Sequence, residues 1–133
     1  MARARYVEIK SFGYGHGPVP EAEITLDLRT HFKDPHVSPR LRALTGRDRA
    51  VVDAVMGTPG IHALVRATVD QVQAFRSGPH AGPVRVVVGC VGGRHRSAVV
   101  ASAVADRLTR DGVPVVLQHR DINLPVIRRG VTA

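Results

Sequence analysis

The chain has 133 residues, of which 44% are hydrophobic and 23% charged, and this composition is typical of one folded domain over residues 1–133 rather than of a disordered segment. Its apolar runs are shorter than the roughly 18 residues that span a bilayer, and its single cysteine excludes an internal disulfide, so we expect a cytoplasmic protein. The formal net charge is +8, and all of the 19 basic residues except Lys10 and Lys33 are arginines. This excess favours an anionic partner, either nucleic acid or a phosphorylated metabolite.

The first half of the chain contains two predicted strands separated by a glycine-rich loop. Residues 6–12 alternate apolar and polar side chains, as expected for a half-buried strand, and residues 13–18 then break the strand. Residues 24–28 are predicted to form the second strand. A polar stretch punctuated by prolines follows and runs to Thr45 and Gly46.

The second half alternates predicted helices and strands. Apolar residues at helical spacing predict helices over residues 47–56 and 61–76. Residues 84–88 are β-branched except for Arg85, which is typical of a buried parallel strand. A helix over residues 97–110 and a last strand over residues 113–118 complete a strand–helix–strand unit, which requires parallel strands.

These elements predict a small α/β sandwich with about four mostly parallel strands. In such sheets, ligands bind outside the carboxyl ends of the strands. Polar residues follow three of the predicted strands or lie in the first loop, and we expect them to support a ligand site: His16, Asp27, Arg29, His119 and Arg120. A basic tail begins at about residue 122 and includes Arg128 and Arg129.

The segment between the third strand and the last helix has the features of an anion-binding loop. Glycines permit a close backbone approach to a ligand, the helix start contributes backbone N–H groups and partial positive charge, and the cationic side chains supply further donors. The predicted anion-binding residues are Cys90, Val91, Gly92, Gly93, Arg94, His95, Arg96 and Ser97. The alternative is a glycine turn whose arginines are merely solvated.

Cys90 and Arg96 also fit the Cys-x5-Arg spacing of cysteine phosphatases. In that alternative Cys90 is the nucleophile and Arg96 holds the phosphoryl group, with Asp34, Asp48 and Asp121 as candidate general acids. A small buried residue at a strand end is the other interpretation of Cys90, so enzymatic activity is left open. The histidine and cysteine spacings are not those of metal ligands, and we expect no metal and no cofactor.

Short motifs along most of the chain resemble the C-terminal domain of the RapZ family, which includes YvcJ-type members. They occur in the family's order between residues 5 and 121, and they are Ser11-Phe12-Gly13-Tyr14, His16-Gly17, Asp27-Leu28-Arg29, Asp34-Pro35-His36, the run from Leu41 to Asp48, the run from Gly89 to Ser97, and His119-Arg120-Asp121.

The resemblance implies a standalone C-terminal domain with a regulatory role. Full-length members carry an N-terminal P-loop domain, whereas this sequence has no Gly-x4-Gly-Lys-Ser/Thr, so we expect no ATP or GTP hydrolysis. In enterobacterial members the C-terminal domain binds small regulatory RNA, contacts an endoribonuclease and senses glucosamine-6-phosphate. By resemblance, the expected partners are a phosphorylated small molecule, RNA and a ribonuclease, and self-association is left open.

Two positions depart from the family pattern. Val91 stands where the family usually has threonine, and Gly15 stands where it commonly has lysine. The anion site therefore lacks one hydroxyl and one cation, and we expect its ligand preference to differ from the enterobacterial one. With only five aromatic residues, an RNA contact is expected to be with phosphates rather than by base stacking.

Overall fold

Four parallel strands form the sheet in a computed structural model that describes residues 6–80 and 82–127. The strand order is β2-β3-β1-β4, so the first strand of the chain lies inside the sheet and pairs with both β3 and β4. The predicted α/β class and the predicted number of strands are confirmed. The strands are β1 (Val7–Gly13), β2 (Ile24–Asp27), β3 (Val84–Cys90) and β4 (Val115–His119).

The helices lie in the two connections that follow β2 and β3. The long helices agree with the sequence predictions to within two residues, and α1 is a single turn that begins at a proline. The bounds are α1 (Pro39–Arg42), α2 (Arg49–Met56), α3 (Ile61–Arg76) and α4 (Arg96–Arg110), with 3-10 turns at Tyr14–His16 and Pro35–Val37.

Small differences from the predicted bounds have local causes. Helix α2 begins at Arg49 rather than Arg47, because the carboxylate of Asp48 accepts a hydrogen bond from the Thr45 N–H (2.8 Å) and keeps the preceding turn non-helical. Strand β4 begins two residues late, because the Val113 N–H still donates to the Leu108 carbonyl at the end of α4.

The hydrophobic core lies between one face of the sheet and α2, α3 and α4. Val7 and Ile9 of β1 point into it, as do three valines of β3, and the helices contribute buried valine, leucine and isoleucine side chains. Glu8 and Lys10 alternate to the other face of the sheet and are only half-buried. The structure is therefore a two-layer α/β sandwich within the described residues.

The direction of the connections indicates where a ligand crevice is expected. The connections from β2 to β3 and from β3 to β4 both proceed in one direction along the sheet, so right-handed crossovers place them on the same face. The connection from β1 to β2 proceeds in the other direction and crosses the opposite face, where Pro20 and Glu21 line a pocket together with Glu8 and Arg85. The chain thus leaves the adjacent strands β1 and β3 toward opposite faces, which is the arrangement that creates a ligand crevice at the carboxyl ends of parallel strands.

Two of the sequence predictions concern the ends of the chain and its apolar segments. Arg128 and Arg129 of the predicted basic tail lie outside the described residues. Within residues 6–80 and 82–127, none of the helices combines the length and the apolar composition that crossing a membrane requires.

Candidate anion-binding site

The carboxyl ends of β1 and β3 are in direct contact through glycines. Gly13 and Cys90 are paired in register, and the Gly15 N–H donates to the Val91 carbonyl (2.9 Å). A Cβ at Gly93 would lie 2.7 Å from the Gly13 nitrogen, and Gly93 has a φ of 75°, in the left-handed region that favours glycine. The two glycines therefore allow the loop between β3 and α4 to fold against the end of β1.

Helix α4 begins in this loop with its first backbone N–H groups uncapped. The first intrahelical bond in the segment is from the Val99 N–H to the His95 carbonyl (3.1 Å), and within residues 6–80 and 82–127 the side chain of the N-cap residue, His95, makes no capping bond. The preceding N–H groups of Arg96, Ser97 and Ala98 belong to buried residues. Unpaired N–H groups at a helix start carry partial positive charge and attract anions.

Cys90 lies beneath this helix start. Its side chain is buried, and its Sγ lies 3.2 Å from the Ser97 Oγ. A serine hydroxyl at this distance can donate to a thiolate or accept from a thiol. The contact ties the last residue of β3 to the first turn of α4, and it suits either of the two interpretations of Cys90.

The guanidinium of Arg96 holds the segment that follows β2. Its Nη1 donates to the carbonyls of Leu28 (2.7 Å), Arg29 (3.2 Å) and Phe32 (3.3 Å), and its Nη2 lies 3.4 Å from the Asp34 Oδ2. The Arg96 side chain is only 2% exposed. We therefore assign its Nη groups to the framework of the site, where they fix the position of the chain after β2.

Arg94 and His95 tie the loop to two other segments. Arg94 Nη2 donates to the Ala43 carbonyl (2.7 Å), and Arg94 Nη1 donates to the Leu124 carbonyl (2.9 Å). The His95 Nε2 lies 2.7 Å from the Leu44 carbonyl oxygen, and burial lowers the pKa of His95 despite this bond. A neutral His95 with its proton on Nε2 donates to that carbonyl.

Two donors of this loop remain without an acceptor. The Nε atoms of Arg94 and Arg96 are buried and have no hydrogen-bond partner within the described residues. A buried donor without an acceptor is costly, by about 1–3 kcal/mol. An acceptor atom that reached these two positions would remove that cost.

Asp27, Arg29 and Tyr14 form the β2 side of the crevice. Arg29 makes two side-chain hydrogen bonds to the Asp27 carboxylate, at 3.0 and 2.7 Å, and its guanidinium lies 3.6 Å from the centre of the Tyr14 ring. The bonds from Arg29 hold the pKa of Asp27 below its ordinary value. Burial, followed by the charge of Asp27, raises the pKa of the Tyr14 hydroxyl. Asp27 is therefore ionised and exposed beside a cation that is itself partly exposed.

Arg120 and Asp121 form the β4 side. The Asp121 Oδ2 accepts from the Gly13 N–H (2.8 Å) and from Arg120 Nη2 (2.8 Å), and Arg120 Nη1 donates to the Pro18 carbonyl (2.6 Å). Burial raises the pKa of Asp121, but the bonds from Arg120 and Gly13 outweigh it, so that the pKa lies below its ordinary value. These contacts bind the end of β4 to the turn after β1.

His16 and His119 lie apart from each other. The His16 Nε2 is 3.0 Å from the Pro125 carbonyl oxygen. His119 points from β4 to the helical face, where its Nδ1 lies 2.7 Å from the Ser11 Oγ and its Nε2 lies 3.2 Å from the Ser102 Oγ. Burial, and then the charge of Arg47, lower the pKa of His119. The structure thus places Arg120 near the crevice and His119 between the sheet and α4.

Sequence analysis did not single out Tyr14 or the Ala43–Gly46 segment as part of the site. The Gly46 N–H donates to the Arg94 carbonyl (2.6 Å), and a Cβ at Gly46 would lie 2.7 Å from the Ala98 Cβ. The signal for both was present in the motifs that contain them, but motif order alone does not show which segments touch. Among the described residues, no three histidine, cysteine, aspartate or glutamate side chains form a group that could hold a metal ion.

Three curated proteins, each called a nucleotide-binding protein, are similar to the chain. The protein of Salinispora arenicola is 37% identical over 124 residues, that of Thermobifida fusca is 36% identical over 119, and jk1004 of Corynebacterium jeikeium is 35% identical over 119. The alignments cover 91%, 86% and 87% of this chain but 42%, 40% and 40% of these relatives. The chain therefore spans about 40% of the length of the curated relatives that it matches.

A family model agrees with the motifs found in the sequence. The model of the RapZ C-terminal domain matches residues 5–123, which include every element from β1 to β4 and the whole loop between β3 and α4. The chain belongs to the RapZ C-terminal domain family.

Proposed function

We propose that this chain is a regulatory binding domain that takes a phosphorylated small molecule at the carboxyl ends of β1 and β3. The observation that carries the proposal is the start of α4, where the N–H groups of the buried residues Arg96–Ala98 have no cap from the side chain of His95, as far as the described residues show. The Nε donors of Arg94, in the preceding loop, and of Arg96, the first residue of α4, are also buried and lack acceptors within residues 6–80 and 82–127. A phosphate group supplies several acceptor oxygens and negative charge, which a helix start and arginine donors attract.

The groups around the crevice favour a ligand that carries more than phosphate. Arg29 follows β2 and Arg120 follows β4, so a cation stands on each side of the two central strands. The Asp27 carboxylate is exposed and ionised, and it can accept from a hydroxyl group or pair with an ammonium group. This combination supports an amino-sugar phosphate as the ligand class, in accord with the family resemblance.

Calorimetric titration with glucosamine-6-phosphate, glucosamine and inorganic phosphate tests the proposal. We expect glucosamine-6-phosphate to bind most tightly, because only this ligand engages the helix start and Asp27 together. Arg29→Gln removes a charged donor and is expected to weaken binding roughly tenfold. Arg49→Gln is the matched control, because Arg49 also forms an exposed ion pair with an aspartate (3.0 Å) but lies on α2.

The result against the proposal is equally specific. Equal affinity for glucosamine and glucosamine-6-phosphate would show that the phosphate group does not contribute to binding. Equal affinity of the Arg29→Gln and Arg49→Gln variants for the phosphosugar would show that the ligand does not bind at the β2 side of the crevice.

The phosphatase alternative depends on the same loop. The 3.2 Å contact between Cys90 Sγ and Ser97 Oγ is compatible with it, because a serine hydroxyl can donate to a thiolate as well as accept from a thiol. Arg96, however, has both Nη groups engaged by the segment after β2, which leaves only its Nε to hold a phosphoryl group. Hydrolysis of a generic aryl phosphate by the wild type, abolished in Cys90→Ser, would establish this activity. Absence of hydrolysis by the wild type would contradict the phosphatase alternative.

RNA is proposed as a second, electrostatic partner. The support is the net charge of +8 together with the family, and the five aromatic residues argue against a stacking surface. Fluorescence anisotropy over a range of salt concentrations should give a log–log slope of about −0.7 for each phosphate contacted on a single strand. A hairpin should bind better than an unstructured strand of equal length, and affinity no better than that of an unrelated basic protein would exclude the role.

A further inference from the structure

A groove of about 460 Å³ lies on the helical layer, between α2, α3 and α4. Its volume is within the range of small-molecule binding sites, which is roughly 300–1,000 Å³. No residue of the β3–α4 loop lines it. Of its lining residues, Gly46 adjoins the proposed phosphate site, because its N–H donates to the Arg94 carbonyl, and the others lie on α2, α3 and α4.

The floor of the groove is apolar. Val52 and Met56 of α2, Val65 of α3, and Val99 and Ala103 of α4 line it. The one hydroxyl on the α4 wall, that of Ser102, lies 3.2 Å from the His119 Nε2, so its hydrogen bond is made within the protein. An apolar chain or ring can therefore enter without leaving that hydroxyl unpaired.

The rim of the groove is cationic. Arg107 and Arg110 lie three residues apart on α4, at a spacing that places both side chains on one face of the helix. Both residues are exposed, and within the described part of the chain neither guanidinium forms an ion pair. His62 lines the same groove, and Asp106 is its one acidic lining residue. The rim thus favours an anionic group next to an apolar floor.

We propose that the groove between α2, α3 and α4 is a second ligand site, which binds a small amphipathic carboxylate. The apolar part of the ligand lies against Met56, Val65 and Val99, and its carboxylate is held by Arg107 and Arg110. Carboxylates match the planar fork of arginine, which makes two parallel hydrogen bonds to them.

The experiment uses Met56 as the reporter. With ¹³C-methyl-methionine, Met56 reports on the groove. The chain is titrated with octanoate, with octanamide as the neutral analogue, and with acetate as the anion without a chain. Saturable displacement of the Met56 methyl signal by octanoate, at concentrations where octanamide and acetate leave it in place, is the expected result.

Charge variants test the rim. The double variant Arg107→Gln, Arg110→Gln is expected to raise the Kd for octanoate about five- to tenfold, as two partly exposed ion pairs should. The matched control, Arg40→Gln with Arg66→Gln, removes the same charge at exposed positions outside the groove and should leave the Kd within about twofold. The proposal is overturned if octanoate causes no saturable shift of Met56, if octanamide binds as tightly, or if the control variant weakens binding as much as the rim variant.

Discussion

Replacing Arg96 with methionine separates a framework role from a ligand-binding role. Methionine keeps most of the buried length of the side chain, so the substitution removes chiefly the guanidinium. The Leu28 carbonyl loses its donor at 2.7 Å, and the Arg29 and Phe32 carbonyls lose longer bonds at 3.2 and 3.3 Å from the same Nη1. The Asp34 carboxylate, 13% exposed, loses the cation 3.4 Å away.

The loss in free energy of unfolding is estimated from the carbonyl and carboxylate groups that remain in place without the cation. Removing one partner from a buried charged pair costs about 3–5 kcal/mol, and the carbonyl bonds that share a single Nη1 count as about one bond to a charged donor within that range. We therefore expect Arg96→Met to lower the free energy of unfolding by about 4 kcal/mol, which is a large part of the roughly 5–15 kcal/mol of an ordinary domain. Arg96→Lys keeps the positive charge but not the planar guanidinium, and it should lower the free energy of unfolding by about half as much.

Urea denaturation followed by circular dichroism measures the change. The control Arg49→Met removes an exposed pair on α2, and it should stay within about 0.5 kcal/mol of the wild type. If Arg96→Met unfolds within 1 kcal/mol of the wild type while phosphosugar affinity falls more than about tenfold, the framework assignment is wrong and Arg96 acts on the ligand.

Three further predictions concern glycine geometry and protonation. Gly93→Ala should lower the free energy of unfolding by about 2–4 kcal/mol in the same denaturation assay, because a Cβ would lie 2.7 Å from the Gly13 nitrogen at a φ of 75°; a loss below 0.5 kcal/mol would show that the loop does not pack against β1. Burial lowers the folded-state pKa of His95 and His119, so the stability that their neutral forms contribute is present above the unfolded pKa of about 6.5 and is lost as pH falls through the folded values. Denaturation between pH 8 and 5 should show this decline, and replacing both histidines with glutamine should flatten it. The pKa of Asp121 is also lowered, so its contribution is present above about pH 3.9 and is lost on further acidification; Asp121→Asn should be less stable at pH 7 and less sensitive to acid below pH 4, and an unchanged acid limb would contradict the assignment.

Local sequence patterns predicted the elements but not the strand order. The alternation in residues 6–12 and the valines of residues 84–88 located β1 and β3, and glycines located the loops. The order β2-β3-β1-β4 depends on which strands bury each other's faces, and that is a property of the whole sheet. Successive side chains of a strand point to opposite faces of the sheet. This alternation, continued one residue beyond β4, predicts that His119 and Arg120 lie on opposite faces.

The roles of the two loop arginines could not be predicted from their positions. Sequence analysis treated Arg94 and Arg96 as donors to an anion; Arg96 is the first residue of α4, and Arg94 lies two residues before it. The direction of a long side chain depends on which carbonyl groups the rest of the fold brings within reach. Ala43 is 51 residues away from Arg94, and Leu28 is 68 residues away from Arg96, so no local pattern indicates that these carbonyls take the Nη donors.

The position of β1 inside the sheet has a consequence for the order in which the molecule forms during translation. Val7 pairs with Val84 and with Val115, so Val7 waits for these partners in the described sheet until at least 77 further residues have been made. At about 5–20 residues per second, that delay is roughly 4–15 s. During it, α1, α2 and α3 are synthesised without the sheet that covers their apolar faces, and helices of this length are marginal on their own. The nascent chain therefore exposes the apolar residues of β1 and of the inward face of α3 at the same time. We expect a chaperone to bind the nascent chain chiefly during this interval.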